Sequence, residues 1–233
     1  MKRWMGIAIK ILVVAILAGS FTWGLYARAQ KNKRFDYSEV LDHEAFSLDG
    51  ESVTFRDLAF FIAYEERVVE EEAIIYNKKS TKDYWNTHTN GQFISVAARD
   101  AVMDMAIHDY LMYNLACEEG VRLKENQVEE VTNATLDFWM DLLEGQRENL
   151  LSYTTEEAVD EMIMKKALAE AYQDYLAVVN NHAYVYYDIG GAGYDEILSN
   201  HEVKISKEWK NVVMGEITVH HDRVNYATGY DHD

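Results

Sequence analysis

The sequence predicts a mainly α-helical protein, with an N-terminal transmembrane helix and a multi-helix body that carries one or two short strands. Three observations predict it. The 233-residue chain has no proline and only 12 glycines, so the two residues that most disfavour helix interiors are scarce. Apolar residues recur at helical spacing over long stretches of the body. Helix signals bound those stretches, Thr54, Thr154 and Gly120 among them. The same composition excludes polyproline docking segments and cis-proline turns. A balance of 48% hydrophobic and 27% charged residues argues against wholesale disorder. The length suits one domain of moderate size with an appendage.

Residues 1–34 are that appendage, read as a signal-anchor with a basic flank. Ile11 to Ala27 form an uncharged, mostly apolar run. With Met5 to Ile9 it reaches the roughly 20 residues that a bilayer span needs, and Lys10 between them is long enough to snorkel. Trp4, Trp23 and Tyr26 stand where interfacial aromatics belong. A cleaved signal peptide competes with a retained anchor, because Ala27-Arg28-Ala29 supplies a cleavage pattern. Cleavage after Ala29 would leave the body secreted. The length of the run and the bulky Trp23 and Tyr26 ahead of the cut favour the anchor. Arg28, Lys31, Lys33 and Arg34 outnumber Lys2, Arg3 and Lys10, which by the positive-inside rule favours a cytoplasmic body. An N-terminal anchor ahead of a large domain nonetheless has the form of an export signal. The expected body is extracytoplasmic, in the cell envelope, against the charge count.

Residues 35–45 read as a polar tether and 46–219 as the helical domain. Phe46 to Thr54 is a short extended piece turning at Asp49-Gly50. Thr54 with Asp57 resembles a capping box and opens a helix over 55–76, whose expected buried face is Leu58, Phe61, Ile62, Glu65, Val68, Val69 and Glu72. A polar loop over 77–91 holds Trp85. Helices follow over 93–119, closed by Gly120, over 125–143 with Val128, Val131 and Leu136 inward, and over 155–179 behind a Thr154–Glu157 cap. Ala183-Tyr-Val-Tyr-Tyr is β-prone, and Gly190-Gly-Ala-Gly reads as a hinge. A returning segment over 194–209 contains a short helix and a strand, Val212 to Val219 alternates weakly as another strand, and 220–233 is a flexible polar tail.

Charge is placed unevenly. Residues 1–34 hold seven Lys or Arg and no acid; from Phe35 the other 15 of the 22 basic residues face all 40 acidic ones, a net of −25. A body this acidic repels nucleic acid and anionic headgroups, so nucleic acid is not an expected partner. The single Cys117 makes neither an internal disulfide nor a thiolate zinc site. No GxSxG, HExxH or P-loop occurs, and the glycine run lacks dinucleotide spacing. Asp104 and His108 stand four apart on one helix, where the commoner role is a hydrogen-bonded core histidine. His220, His221, Asp222, His232 and Asp233 offer metal donors on a tail suited to weak binding. No catalytic residue, metal or cofactor is expected. The runs Glu65-Glu66 and Glu70-Glu71-Glu72 read as a solvated helix face.

Aromatic residues are more suggestive. Phe60 and Phe61 are about 100° apart around a helix, as are Phe138 and Trp139, so apolar groups face two directions and need a second partner. With Tyr64 and Trp85, these six (Phe60, Phe61, Tyr64, Trp85, Phe138 and Trp139) are the candidate surface for binding a polypeptide client.

Arg99 to Glu130 carries a resemblance: a helix reaching Ala116, a few polar residues, Gly120-Val121, then an acidic helix from Glu125. This resembles the helical chaperone module of SurA, PrsA and trigger factor. Leu48-Asp-Gly-Glu-Ser-Val-Thr-Phe-Arg-Asp-Leu is similar to its entry, and Tyr194 to Ile205 to its returning helix and strand. The resemblance covers roughly 46–209 and implies a SurA N-terminal-like domain. Relatives of that kind normally carry a parvulin prolyl-isomerase domain between the fourth helix and the returning segment. Here only Asn180 to Gly193 occupies that place, too short for such a domain, so a label of peptidylprolyl isomerase would not fit. The implied function is a membrane-anchored chaperone-like protein binding unfolded or exported polypeptides without chemistry. An anchored scaffold or regulatory subunit docking one specific protein is the alternative, and a metal-dependent enzyme using His108 or the C-terminal histidines is a weaker third.

Overall fold

The computed structural model describes residues 35–219, and the fold they form is mainly helical. In chain order it comprises β1 (Glu44–Leu48), β2 (Glu51–Thr54), α1 (Ala59–Tyr76), α2 (Thr81–Trp85), β3 (His88–Thr89) and β4 (Gln92–Phe93). Then follow α3 (Ile94–Glu118), α4 (Glu125–Asp141), α5 (Gln146–Leu151), α6 (Glu156–Asn180), α7 (Ala192–Leu198) and β5 (Val203–Ile205). No helix among the described residues is long and apolar enough to cross a membrane. The segment expected to do so, Ile11 to Ala27, lies outside the described residues, as does the 220–233 tail.

β1 and β2 form an antiparallel hairpin turning at Asp49 and Gly50, as the sequence predicts. Both residues have positive φ, 51° and 87°, the pair that a two-residue type I′ turn requires. β5 pairs antiparallel with the other edge of β1, giving the order β2-β1-β5. The returning segment thus closes a small sheet on the entry hairpin. The Asp49 carboxylate fastens this closure, accepting from the Glu202 amide at 2.7 Å and lying 2.6 Å from His201 Nδ1.

The expected tether differs from what the structure shows. Tyr37 and Val40 are buried, the Tyr37 hydroxyl donates to the Phe55 carbonyl, and its ring packs edge-on to Phe55 and Tyr153. One aromatic in a polar run is enough to draw the chain onto the body from residue 37.

Asp57 Oδ2 accepts from Thr54 N at 2.8 Å and Thr54 Oγ1 at 2.6 Å, organising the turn that precedes α1. The buried residues of α1 are Ala59, Phe60, Phe61, Ile62, Ala63, Glu66, Val69, Glu70 and Ala73. Of the expected face, Leu58, Phe61, Ile62 and Val69 are buried, whereas Glu65 and Val68 are half-buried. Glu72 stays exposed, while Glu66 and Glu70, expected in solvent, enter the core.

The two longest helices, α3 and α6, pack along each other and form the centre of the body. Gly120 has φ 73°, and Val121 N donates to Ala116 O at 2.9 Å, the left-handed stop the sequence signals for α3. On α4, Val131 and Phe138 are buried, whereas Val128 and Leu136 are exposed. The cap of α6 is Thr155, whose Oγ1 accepts from Ala158 N; Thr154, the expected cap, is buried one residue earlier.

Two expected strands take other forms. Tyr184–Tyr187 is a 3-10 turn, held by His182 stacked on Tyr186 with centroids 4.0 Å apart. Residues 212–219 form no strand; they wrap a side chain of α1, as described below. The expected glycine hinge is close-packed: a Cβ on Gly191 would stand 2.5 Å from the Val185 and Tyr186 carbonyl oxygens, and one on Gly193 would meet the Tyr186 ring at 2.4 Å.

Candidate binding groove

A cavity of about 440 Å³ lies among α1, α4 and α6. Its apolar floor is Phe60 of α1, Val131 and Phe138 of α4, and Ile163 of α6. The Phe60 and Phe138 rings meet at 5.2 Å between centroids. The space exists because the facing positions are small: Ala134 falls between Val131 and Phe138 on α4, and Ala167 and Ala171 follow Ile163 at intervals of four on α6. The neighbouring helices therefore leave this volume unfilled. Glu130, Lys166, Glu170 and Asp174 edge it, with Tyr64 and Tyr184 as further aromatic walls.

Of the six aromatic residues singled out in the sequence, three line this groove: Phe60, Tyr64 and Phe138. Phe61 is buried in the core behind it. Trp85 is also buried, donating from Nε1 to Glu70 Oε2 at 2.6 Å. Trp139 sits at the surface, its Nε1 donating to Asp160 Oδ1 at 2.9 Å while the Arg147 guanidinium covers its ring at 4.9 Å. The helical arc between Phe60 and Phe61 explains the division: one faces α4 and the other the core. The alanines that make room carry no signal of their own until their helices are paired.

Lys166 is held between two acids. Its Nζ is 2.5 Å from Glu170 Oε1 and 4.0 Å from Asp109 Oδ2. Burial pulls the ammonium pKa down, but Asp109 and Glu170 outweigh it and hold it above the ordinary lysine value. Behind Lys166, buried His108 places Nδ1 3.0 Å from Asp109 Oδ1 and Nε2 3.3 Å from the Tyr187 carbonyl. Its partner is thus Asp109 rather than Asp104, which is exposed four residues earlier. Both ring nitrogens are engaged, so His108 fixes the 3-10 turn onto α3.

The Glu66 carboxylate is a second construction. It is fully buried and accepts from the amides of Gly215 (2.6 Å), Ile217 (3.2 Å), Thr218 (2.6 Å) and Val219 (3.2 Å), and from Thr218 Oγ1 (2.6 Å). Gln146 Nε2 donates to Thr218 Oγ1 and Ala63 O, and Asn149 Nδ2 donates to Thr218 O. A single side chain of α1 thereby ties down residues 215–219. Burial pushes the Glu66 carboxyl pKa up, and the hydrogen bonds to Thr218, Ile217 and Val219 pull it partway back. Burial likewise raises Glu70, opposed by hydrogen bonds from Trp85 and Thr81. These five donors stabilise the ion that burial disfavours, which is how a charge is tolerated there.

Elsewhere a more polar cavity of about 540 Å³ opens beside the C-terminal half of α6, with His182, Glu196 and His201 at its edge. Among the described residues no group of three or more His, Cys, Asp or Glu is placed to hold a metal ion. The C-terminal histidines lie outside the described residues. No family model, curated protein or solved structure matches this chain.

Proposed function

We propose that this protein is a membrane-anchored, chaperone-like binder of unfolded or newly exported polypeptides, which it holds in the groove among α1, α4 and α6 without chemistry. The observation that carries the reading is the cavity of about 440 Å³ among α1, α4 and α6, lined by the apolar side chains of Phe60, Val131, Phe138 and Ile163. A site of this volume admits one or two apolar side chains of an extended segment, the scale at which pockets give modest, tolerant affinity. The resemblance of Arg99 to Glu130 to the SurA and PrsA module supports the same reading.

The test is aggregation of a chemically unfolded, reduced and alkylated protein followed by light scattering, with the full chain added at near-stoichiometric ratio. Suppression is expected, and it is lost in Ala134→Phe, which fills the groove from an exposed position. No suppression by the unaltered chain refutes the proposal.

A separate observation favours the scaffold reading. Val178, Val179 and Val185 are 74%, 60% and 67% exposed and lie close in sequence at the end of α6, an apolar surface suited to one fixed partner. Crosslinking in cells separates the two: many unfolded chains favour the chaperone, and one dominant protein favours the scaffold.

A further inference from the structure

We infer that the groove selects polypeptide segments in which apolar residues alternate with lysine or arginine. The inference rests on the proposed function and adds the class of client.

Its basis is charge complementarity at the rim of an apolar floor. Lys166, the one cation lining the groove among the described residues, is already held by Glu170 and Asp109. Glu130 and Asp174 line the same opening on α4 and α6, and among the described residues neither has a basic partner. Arg67 lies over the Tyr64 ring at 5.7 Å, but its charge is met by Glu71 at 3.1 Å and Asp141 at 3.9 Å. The opening therefore presents carboxylate unmatched by any cation among the described residues. The Tyr184 ring beside it offers a negative π face to an incoming ammonium or guanidinium. A client acid at this rim would meet like charge, whereas a client lysine or arginine gains both kinds of contact while its apolar neighbour fills the floor. The body's net of −25 adds attraction at long range, but does not by itself localise it.

The experiment uses two fluorescent peptides with the same Phe- and Leu-containing core, one flanked by lysines and one by serines. Binding to the full chain is read by fluorescence anisotropy, and the quantity of interest is the ratio of the two affinities. The lysine-flanked peptide is expected to bind about three- to tenfold more tightly, as two partly exposed ion pairs allow, with the ratio shrinking as salt rises. In E130Q/D174N the ratio falls towards one. In E51Q/D195N, which removes the same charge from exposed positions on β2 and α7, it persists. Circular dichroism establishes that each variant keeps its helicity. Equal binding of both peptides to the unaltered chain overturns the selectivity and leaves the proposed function standing. A ratio that survives E130Q/D174N assigns selectivity to overall charge and overturns the inference as well. Binding of neither peptide removes the proposed function itself.

Discussion

Removing the Glu66 carboxylate tests the most unusual construction in the body. In Glu66→Ala, four amides and one hydroxyl lose their acceptor at once. Each buried donor left unpaired costs about 1–3 kcal/mol, so keeping all five in place would approach the whole stability of a domain, about 5–15 kcal/mol. The chain has a cheaper response, which is to detach residues 212–219. Detachment exposes Val212, Met214, Ile217 and Val219, at about 1.5–3 kcal/mol each, and regains about 1–2 kcal/mol of backbone entropy per residue. Those two quantities nearly cancel, so the hydrogen bonds to Glu66 decide whether the segment stays. Three of them are 2.6 Å long, and three charge-assisted bonds support a loss of about 3–5 kcal/mol. The expected result is a fall of about 10 °C in Tm, with the amides of 215–219 exchanging rapidly while α3 and α6 remain protected. Hydrogen exchange read by mass spectrometry resolves the two regions. Unchanged exchange at 215–219 together with an unchanged Tm would refute the reasoning.

Three further outcomes follow from the same core. Glu66 and Glu70 have carboxyl pKa values raised by burial above the ordinary 4.5, so the folded state holds their protons more tightly than the unfolded chain. Their stabilising contribution is full below that ordinary value and is lost as pH rises through the folded values. Tm is therefore expected to rise as pH falls from about 8 towards 5, and a flat or falling Tm over that window contradicts the sign. Trp85→Phe removes the donor to Glu70 Oε2 and should cost about 1.5–3 kcal/mol, seen as a lower urea midpoint; an unchanged midpoint would show that this bond contributes nothing. Gly191→Ala puts a methyl group against two carbonyl oxygens that cannot rotate away, so a loss of about 1–3 kcal/mol is expected, and an unchanged Tm would restore the hinge reading.

Where chain direction changes through backbone conformation, the sequence was informative. Asp49-Gly50 and Gly120 turn where their residue types demand, and α1 and α3 fall within a few residues of expectation, whereas the expected loop over 77–91 holds the short α2 and β3. The depth of burial on α1 was not readable in the same way. Glu66 and Glu70 recur at the spacing of Ala59, Ile62, Ala63, Val69 and Ala73, but a glutamate run reads as solvent-facing unless its acceptors are known to be matched. The matching donors come from residues 215–219, about 150 positions away. Because four of the five are backbone amides, no side-chain pattern there announces them. The same cause hides the form of 212–219: apolar residues alternate as in a strand, yet the amides turn inward to one carboxylate instead of pairing along a neighbour.

The groove was legible by half, for a related reason. Phe60, Tyr64 and Phe138 stand out as aromatics on helices that already have a buried face, and all three line it. A cavity, however, is defined by what is missing. Ala134, Ala167 and Ala171 contribute by being small, and alanine is also the most ordinary residue of a helix. Their meaning depends on α4 and α6 lying side by side with these positions turned towards one another. If the gap were incidental, its rim would be expected to carry paired charges like those elsewhere on the same helices, such as Lys165 with Glu161 at 2.8 Å. Instead Glu130 and Asp174 face the opening without a basic partner among the described residues. An apolar cavity walled by alanines and edged by carboxylates without a basic partner among the described residues is the feature on which the proposed preference for a cationic, apolar segment rests.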